Sequence, residues 1–343
     1  MKTLFIKLGA LGGVFRATPL FTGLKEKYPA SELHVVTREN AKDLLNYNKD
    51  IDKLWVWEKE RDKIKEISFD WVINTEDDEE TCRFASNLKT RKFTGPYYSK
   101  TGKIEYTKDV AIWYDMGKIS RFGLEKANEL KKLNNKGYQE IYCEILELPK
   151  KSYPLVLNMI EEEKELSKKF RKENKVSKND VLIGINTGAG ENWPLKALST
   201  DKTVLLMERL AKLGFKVVLL GGPNETKRNN EIIKKTEVPI IDSGTQNSLR
   251  KFISIINSVD LIITSDTLAL HLAVALKKRV VCFFGPTSAE EIELYGQGVK
   301  IKPNSECYCC FKKERTSAKM CIDEIKAEDI IEATLEQIKF LNE

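Results

Sequence analysis

The chain has 343 residues, 41% of them hydrophobic and 31% charged, with 57 basic against 51 acidic side chains for a formal net charge of +6. That length exceeds one ordinary core and suits two domains of about 150 residues each, while the composition excludes a disordered or low-complexity chain, and no run approaches the ~20 apolar residues of a membrane span. Lysines and arginines are not clustered with aromatics, which argues against a nucleic-acid partner; the mild basic excess reads as solvated surface that could also meet anionic lipid.

The opening Met1-Lys-Thr-Leu-Phe-Ile-Lys-Leu-Gly has too short an apolar run for a signal peptide and predicts a first strand over residues 3–8, so a cytoplasmic protein is expected. A helix over 16–28 and a strand over 32–37 follow, and His34 in that alternating strand reads as structural. The β-α-β rhythm continues with strands at 53–57, 70–75 and 92–96, then becomes helical and less regular from 103 to 148. Residues 161–178 are charge-dense, with Glu161 and Lys164, and Glu165 and Lys169, at helical spacing, as in a solvated connecting helix. Strands are then predicted at 181–185, 216–220, 240–241, 261–264 and 279–284, followed by a final helix over 327–341. Near-continuous Val, Ile and Leu runs favour parallel sheets covered on both faces, joined by right-handed crossovers. The expected organisation is an N-terminal domain at 1–160, a connecting segment at 161–180, a C-terminal domain at 181–326, and a last helix at 327–343 free to pack back on the N-terminal domain.

Two stretches carry chemistry. Val181-Leu-Ile-Gly-Ile-Asn-Thr-Gly-Ala-Gly-Glu-Asn-Trp-Pro-Leu-Lys196 and Leu261-Ile-Ile-Thr-Ser-Asp-Thr-Leu-Ala-Leu-His271 are apolar runs that stop in small, hydroxyl or charged residues and restart as helices. Open α/β sheets place ligands at such points, where helix N-termini offer free N–H groups to anions. Lys196 adds an ammonium, and Asp266 and His271 add groups that grip hydroxyls. Together they suggest a diphosphate bearing a sugar. Each residue also has a plainer use: Lys196 on the surface, His271 as a packed imidazole, Asp266 as a helix cap, Glu225 as a first-turn carboxylate.

These stretches, with Lys7-Leu-Gly-Ala-Leu-Gly-Gly-Val-Phe-Arg-Ala-Thr-Pro19, Asp70-Trp-Val-Ile-Asn-Thr75, Leu219-Leu-Gly-Gly-Pro-Asn-Glu225 and Phe284-Gly-Pro-Thr287, occur in an order that resembles glycosyltransferase family 9, the heptosyltransferase group. The resemblance implies an α/β GT-B fold, two Rossmann-like doubly wound parallel-sheet domains facing a cleft. It implies an inverting, metal-independent transfer of a heptose or related sugar from an ADP-sugar donor to a lipopolysaccharide-type acceptor, an anionic glycolipid or glycan. On that reading Thr187, Gly188 and Lys196 hold the diphosphate, Glu225 the ribose, Asp266 the sugar, and Thr267, Leu268, Ala269 and His271 complete the donor site, while Arg16 faces the acceptor. A monomer is expected at the inner face of the inner membrane, with peripheral membrane association open and Phe15 placed either at the cleft or beside a membrane.

The chain departs from the family pattern at Gly13, where a catalytic Asp is usual, and at Leu268 and Ala269, where Gly and Pro are usual. Glycine can turn the chain but cannot take a proton. Another carboxylate could serve, Glu76 of Glu76-Asp-Asp-Glu-Glu80 first and Asp115 second; the position could be an engineered substitution; or the protein could bind nucleotide sugar without transferring it. An epimerase on the same fold is a further alternative. A dinucleotide oxidoreductase is disfavoured, because no Gly-x-Gly-x-x-Gly turn follows the first strand. Catalysis needs no cofactor on this reading, but Cys307, Cys309, Cys310 and Cys321 have spacing that suits a structural zinc or iron, against a disulfide or free thiols.

Overall fold

The structure, a computed structural model, describes residues 1–189, 193–316 and 318–341. Part of the 181–196 stretch, residues 190–192, therefore lies outside the described residues. The chain divides into two units, Met1–Asn158 and Met159–Glu343.

The N-terminal unit is built on five parallel strands, β1 (Lys2–Ile6), β2 (Glu32–Thr37), β3 (Lys53–Val56), β4 (Ser68–Asn74) and β5 (Lys89–Thr94), in the order β3-β2-β1-β4-β5. Its first helices are α1 (Leu11–Arg16), α2 (Thr18–Lys27), α3 (Glu39–Leu45), α4 (Trp57–Lys65) and α5 (Glu79–Ser86). A hairpin of β6 (Pro96–Tyr98) and β7 (Ile104–Tyr106) and the short helices α6 (Ala111–Tyr114), α7 (Leu124–Leu133) and α8 (Tyr138–Ile145) complete it. Leu4, Ile6, Val36, Trp55 and Val72 pack with Phe84 in one buried cluster. The helix expected from residue 16 begins at Leu11 and pauses at Ala17, because Pro19 suits the first turn of a new helix and cannot continue an old one. Phe15, weighed for the cleft or a membrane, is fully buried. Gly95, between β5 and β6, has φ +125° and would place a Cβ 1.9 Å from the Asn74 carbonyl oxygen, so the turn requires glycine.

The C-terminal unit repeats the design with β8 (Leu182–Asn186), β9 (Lys216–Leu220), β10 (Ile241–Asp242), β11 (Leu261–Ser265), β12 (Arg279–Phe283) and β13 (Gly298–Ile301), all parallel in the order β10-β9-β8-β11-β12-β13. In each sheet the chain reverses its direction of travel between two central strands, β1 and β4 or β8 and β11, which opens a crevice at their carboxyl ends. The helices are α9 (Glu161–Glu173), α10 (Thr200–Lys212), α11 (Thr226–Lys235), α12 (Leu249–Ser258), α13 (Leu268–Ala275) and α14 (Ala327–Ile338).

Two segments differ from the expected organisation. The charged stretch at 161–180 is not a free connector: α9 packs along α12, the Glu163 carboxylate receives the Arg250 guanidinium, Ser167 Oγ donates to the Ser254 carbonyl (2.7 Å), and Arg171 pairs with Asp260 (3.0 Å). The last helix, α14, packs on α10 and β12 of its own unit, burying Ile330 and Thr334. Its apolar stripe is therefore covered locally.

His34 is held in the sheet of the N-terminal unit, Trp55 Nε1 donating to its Nδ1 (3.1 Å) and its Nε2 lying 2.7 Å from Glu32 Oε1. Burial lowers its pKa below the ordinary 6.5, a pull the Glu32 carboxylate only partly offsets. The unfolded chain therefore binds the proton first, and stability is present above the unfolded pKa and lost as pH falls through the folded one. Denaturant melts of wild type should lose stability below about pH 6.5, and His34→Gln should flatten that dependence; an unchanged slope in the variant would remove His34 as its source.

Candidate active site

At the C-terminal crevice the loop after β8 lies beside the start of α13. Lys196 Nζ donates both to Asp266 Oδ2 (2.8 Å) and to the Asp266 carbonyl (2.9 Å), the two side chains being 11% and 14% exposed. Asp266 is thus not the helix cap. The N-cap of α13 is Thr267, whose side chain makes no capping bond, and the first turn carries no acidic residue, so the amides of Leu268 and Ala269 open a helix N-terminus without a built-in anion. The buried His271 Nε2 stands 3.8 Å from Asp266 Oδ1. An ammonium, a carboxylate and a helix start in one partly dry place can take a diphosphate on one side and hydroxyls on the other.

The neighbouring residues fall into two groups. Gly188 and Glu225 come together: a Cβ on Gly188 would lie 3.6 Å from Glu225 Cδ, and Glu225 Oε2 accepts from the Gly222 amide (2.9 Å). Among the described residues no hydrogen bond reaches its other oxygen, which leaves an acceptor for ligand hydroxyls. Thr187 turns its hydroxyl inward, donating to Asn229 Oδ1 (2.5 Å), and its amide donates to the Leu220 carbonyl (3.2 Å), so both of its donors are engaged within the fold. Three residues not anticipated from the sequence also build the place. Asn186 Nδ2 ties Thr264 Oγ1 (3.0 Å) to Thr267 Oγ1 (3.1 Å) and so joins β8 to the start of α13. Arg228 on α11 lines a small hollow beneath the crevice with Asn186, Thr187 and Ser265; burial lowers its pKa, and its Nε has no partner among the described residues. Trp193 lies beneath Lys196, Nζ 5.5 Å from the ring centre. A polar residue closing an apolar strand was the available signal for Asn186; nothing in the spacing marked Arg228.

The N-terminal crevice holds a second pair. Lys7 leaves the end of β1 and donates to Glu76 Oε1 (2.7 Å), which also accepts from the amides of Leu8 and Gly9 (both 3.0 Å). Burial works against the Lys7 ammonium, yet Glu76, together with Tyr138 and Asp77, more than offsets it, and the Lys7 pKa lies above the ordinary lysine value. Glu76 Oε2 accepts nothing among the described residues and faces Gly9, where a Cβ would approach it to 3.1 Å. A Cβ on Gly13 would lie 3.4 Å from Lys7 Cε, so position 13 and Glu76 address the same ammonium. The rest of the acidic run faces elsewhere: Asp77 pairs with Lys118 (2.7 Å), Asp78 caps α5 through the Thr81 amide (3.0 Å), and Glu79 pairs with Arg83 (2.8 Å). Asp115 is fully engaged by Tyr106 Oη (2.6 Å) and Arg121 (2.8 Å). Arg16 lies over the Tyr138 ring at 4.6 Å.

Three of the four clustered cysteines converge. The sulfurs of Cys307, Cys310 and Cys321 lie within 4.8 Å of one another, while Cys309 is buried apart, its amide donating to the Gly285 carbonyl (3.0 Å). None of the seven cysteines is joined in a disulfide. Tetrahedral thiolate ligation at about 2.3 Å separates sulfurs by about 3.8 Å, so a small contraction would seat zinc or iron here. The hydrogen bond to Cys321 draws the Cys310 thiol down to about 5, and that same bond pushes Cys321 upward; thiolate character is what a metal requires.

Comparison with known proteins bears on the family and the fold. The model of glycosyltransferase family 9 (heptosyltransferase) matches residues 61–321, beginning beyond the Gly13 turn. No curated protein sequence matches the chain. Among solved structures, a family 9 glycosyl transferase from Veillonella parvula DSM 2008 is 20% identical with a TM-score of 0.80, covering 98% of this chain and 97% of that one. The E. coli ADP-heptose LPS heptosyltransferase II is 18% identical with a TM-score of 0.68, covering 99% and 98%. The iron-containing dodecameric glycosyltransferase TibC of enterotoxigenic E. coli is 12% identical with a TM-score of 0.60, covering 99% of this chain and 79% of that one. The fold is that of the GT-B glycosyltransferases, and the chain belongs to glycosyltransferase family 9, the heptosyltransferase family.

Proposed function

We propose that this glycosyltransferase moves a heptose or related sugar, with inversion and without a catalytic divalent metal, from an ADP-sugar to a lipopolysaccharide-type glycan. The observation that carries this reading is the Lys196–Asp266 pair beside the uncapped start of α13. Lys196 swings between the Asp266 carboxylate and the diphosphate, and with the amides of Leu268 and Ala269 it neutralises the charge that grows as ADP leaves, the task a divalent metal performs elsewhere. Asp266 then accepts sugar hydroxyls, Glu225 accepts those of the ribose, and Gly188 lets the diphosphate approach the backbone. The choice of ADP follows the E. coli enzyme whose name specifies ADP-heptose.

The base is Glu76. Its Oε1 is anchored by Lys7 and two amides, while Oε2 remains to take the proton of the acceptor hydroxyl. The carboxylate absent at Gly13 is thereby supplied from the end of β4, against the same lysine. Arg16 and the basic surface meet an anionic glycolipid, with the protein at the cytoplasmic face of the inner membrane; among the described residues no helix is long and apolar enough to cross a membrane. Cys307, Cys310 and Cys321 would hold a structural zinc or iron, a reading that TibC's iron supports. Gly13 keeps a second reading in view, a nucleotide-sugar binder that transfers nothing.

Titration of ADP and UDP, with and without magnesium, tests the donor site: ADP should bind independently of magnesium, and Lys196→Ala should weaken it by about 10- to 100-fold. Equal ADP affinity in the variant would remove Lys196 from the site. In heptosyl-transfer assays Glu76→Gln, which keeps the Oε1 acceptor, should lower kcat by about 10²- to 10⁴-fold with ADP affinity intact. Gly13→Asp placed in that variant should recover part of the rate. Unchanged kcat in Glu76→Gln would exclude it as the base, and no turnover with any ADP-sugar would favour the binder.

A further inference from the structure

The cysteine loop touches the lysine loop through two aromatic rings. Phe311 directly follows Cys310, and its ring meets that of Trp193 edge-on, centroids 6.2 Å apart at 80°. Trp193 in turn carries Lys196 Nζ at 5.5 Å and Lys313 Nζ at 5.7 Å from its centre. The Phe311 amide donates to the Pro286 carbonyl (2.8 Å) and the Cys309 amide to Gly285 (3.0 Å), which pins the loop to the turn after β12. Cys309 and Phe311 have φ values of 58° and 52°. Non-glycine residues keep that conformation only where their surroundings hold it. Two such residues flank Cys310, so the backbone that carries the Cys310 sulfur is continuous with the held backbone that carries the Phe311 ring.

We infer that Phe311 and Trp193 are positioning residues for Lys196: closure of Cys307, Cys310 and Cys321 around a zinc or iron ion sets Phe311, Phe311 holds Trp193, and Trp193 keeps the ammonium beside Asp266 ready for a diphosphate. The inference rests on the reading of Lys196 as a donor ligand and adds that the cysteine loop tunes donor affinity. Aromatic faces attract ammonium groups electrostatically, so a Trp193 ring displaced by a slack loop would change where Lys196 rests.

Full-length protein stripped with a chelator and reloaded with Zn²⁺ or Fe²⁺ supplies the test, read by metal content, ADP titration and tryptophan emission, with Trp193→Phe as the emission baseline. Metal-free protein should bind ADP about tenfold more weakly than loaded protein, the range of ordinary coupling between sites, and emission assigned to Trp193 should shift on loading. Phe311→Ala should bind ADP weakly whether loaded or not, and Phe311→Tyr should recover the response. A merely structural loop would change the unfolding temperature and leave the ADP affinity of the folded protein alone. Equal ADP affinity in stripped and loaded wild type, or failure to take up metal, would overturn the inference. If ADP bound no form while loading still shifted Trp193 emission, the coupling of loop to ring would stand and the donor reading would fall.

Discussion

Each unit of this protein is organised around one ammonium–carboxylate pair at the carboxyl ends of its central strands, Lys7–Glu76 in the first and Lys196–Asp266 in the second. Parallel strands followed by helices bring several backbone N–H groups to that end of a sheet, and the crevice between the two central strands leaves them partly uncovered. A charge that little exposed is costly unless it is paired and further hydrogen-bonded. Both pairs meet that condition with backbone groups: Glu76 takes two amides, and Lys196 donates to a carbonyl. Each pair also joins two loops distant in sequence, which is how two crevices of defined shape arise from segments that carry no regular structure.

In the proposed mechanism the pairs are also what would make the sites chemically useful. A lysine held against a carboxylate is already desolvated, so transferring it to a phosphate oxygen requires little reorganisation. The carboxylate it leaves can accept hydroxyls in its place. In the N-terminal unit the same logic explains how position 13 can be glycine. The ammonium that a carboxylate at 13 would address is engaged by Glu76, and Gly9 and Gly13 leave the space that Glu76 and Lys7 occupy. Around the C-terminal pair the support continues outward, with Asn186 bridging two threonines below it and Trp193 lying beneath the lysine.

Much of this was legible in the chain. Apolar runs ending in Asn186-Thr187 and Ser265-Asp266 announced parallel strands with polar ends, because strand period, buried Val and Ile, and polar stops are local properties that survive in a linear reading. The Glu76 run was visible too, but five acidic residues in a row look alike. Only the fold separates the one anchored at the crevice from the cap at Asp78 and the solvated pairs of Asp77 and Glu79. The same holds for the cysteines, four in sequence but three in space, because the left-handed backbone at Cys309 turns that residue into the interior.

The sequence by itself determined the α/β class, the two-unit organisation and the family, since these depend on short-range pattern and on motifs in a fixed order; that Lys196 pairs with Asp266 came from the structure. Tertiary structure alone decided that α9 belongs to the C-terminal unit, that Thr187 spends its hydroxyl on Asn229, that Arg228 lines the small hollow with Asn186 and Ser265, and that Phe311 reaches Trp193. Those outcomes depend on which side chains meet across more than thirty residues of intervening chain, where burial and competition for hydrogen-bond partners, rather than local preference, choose the contact.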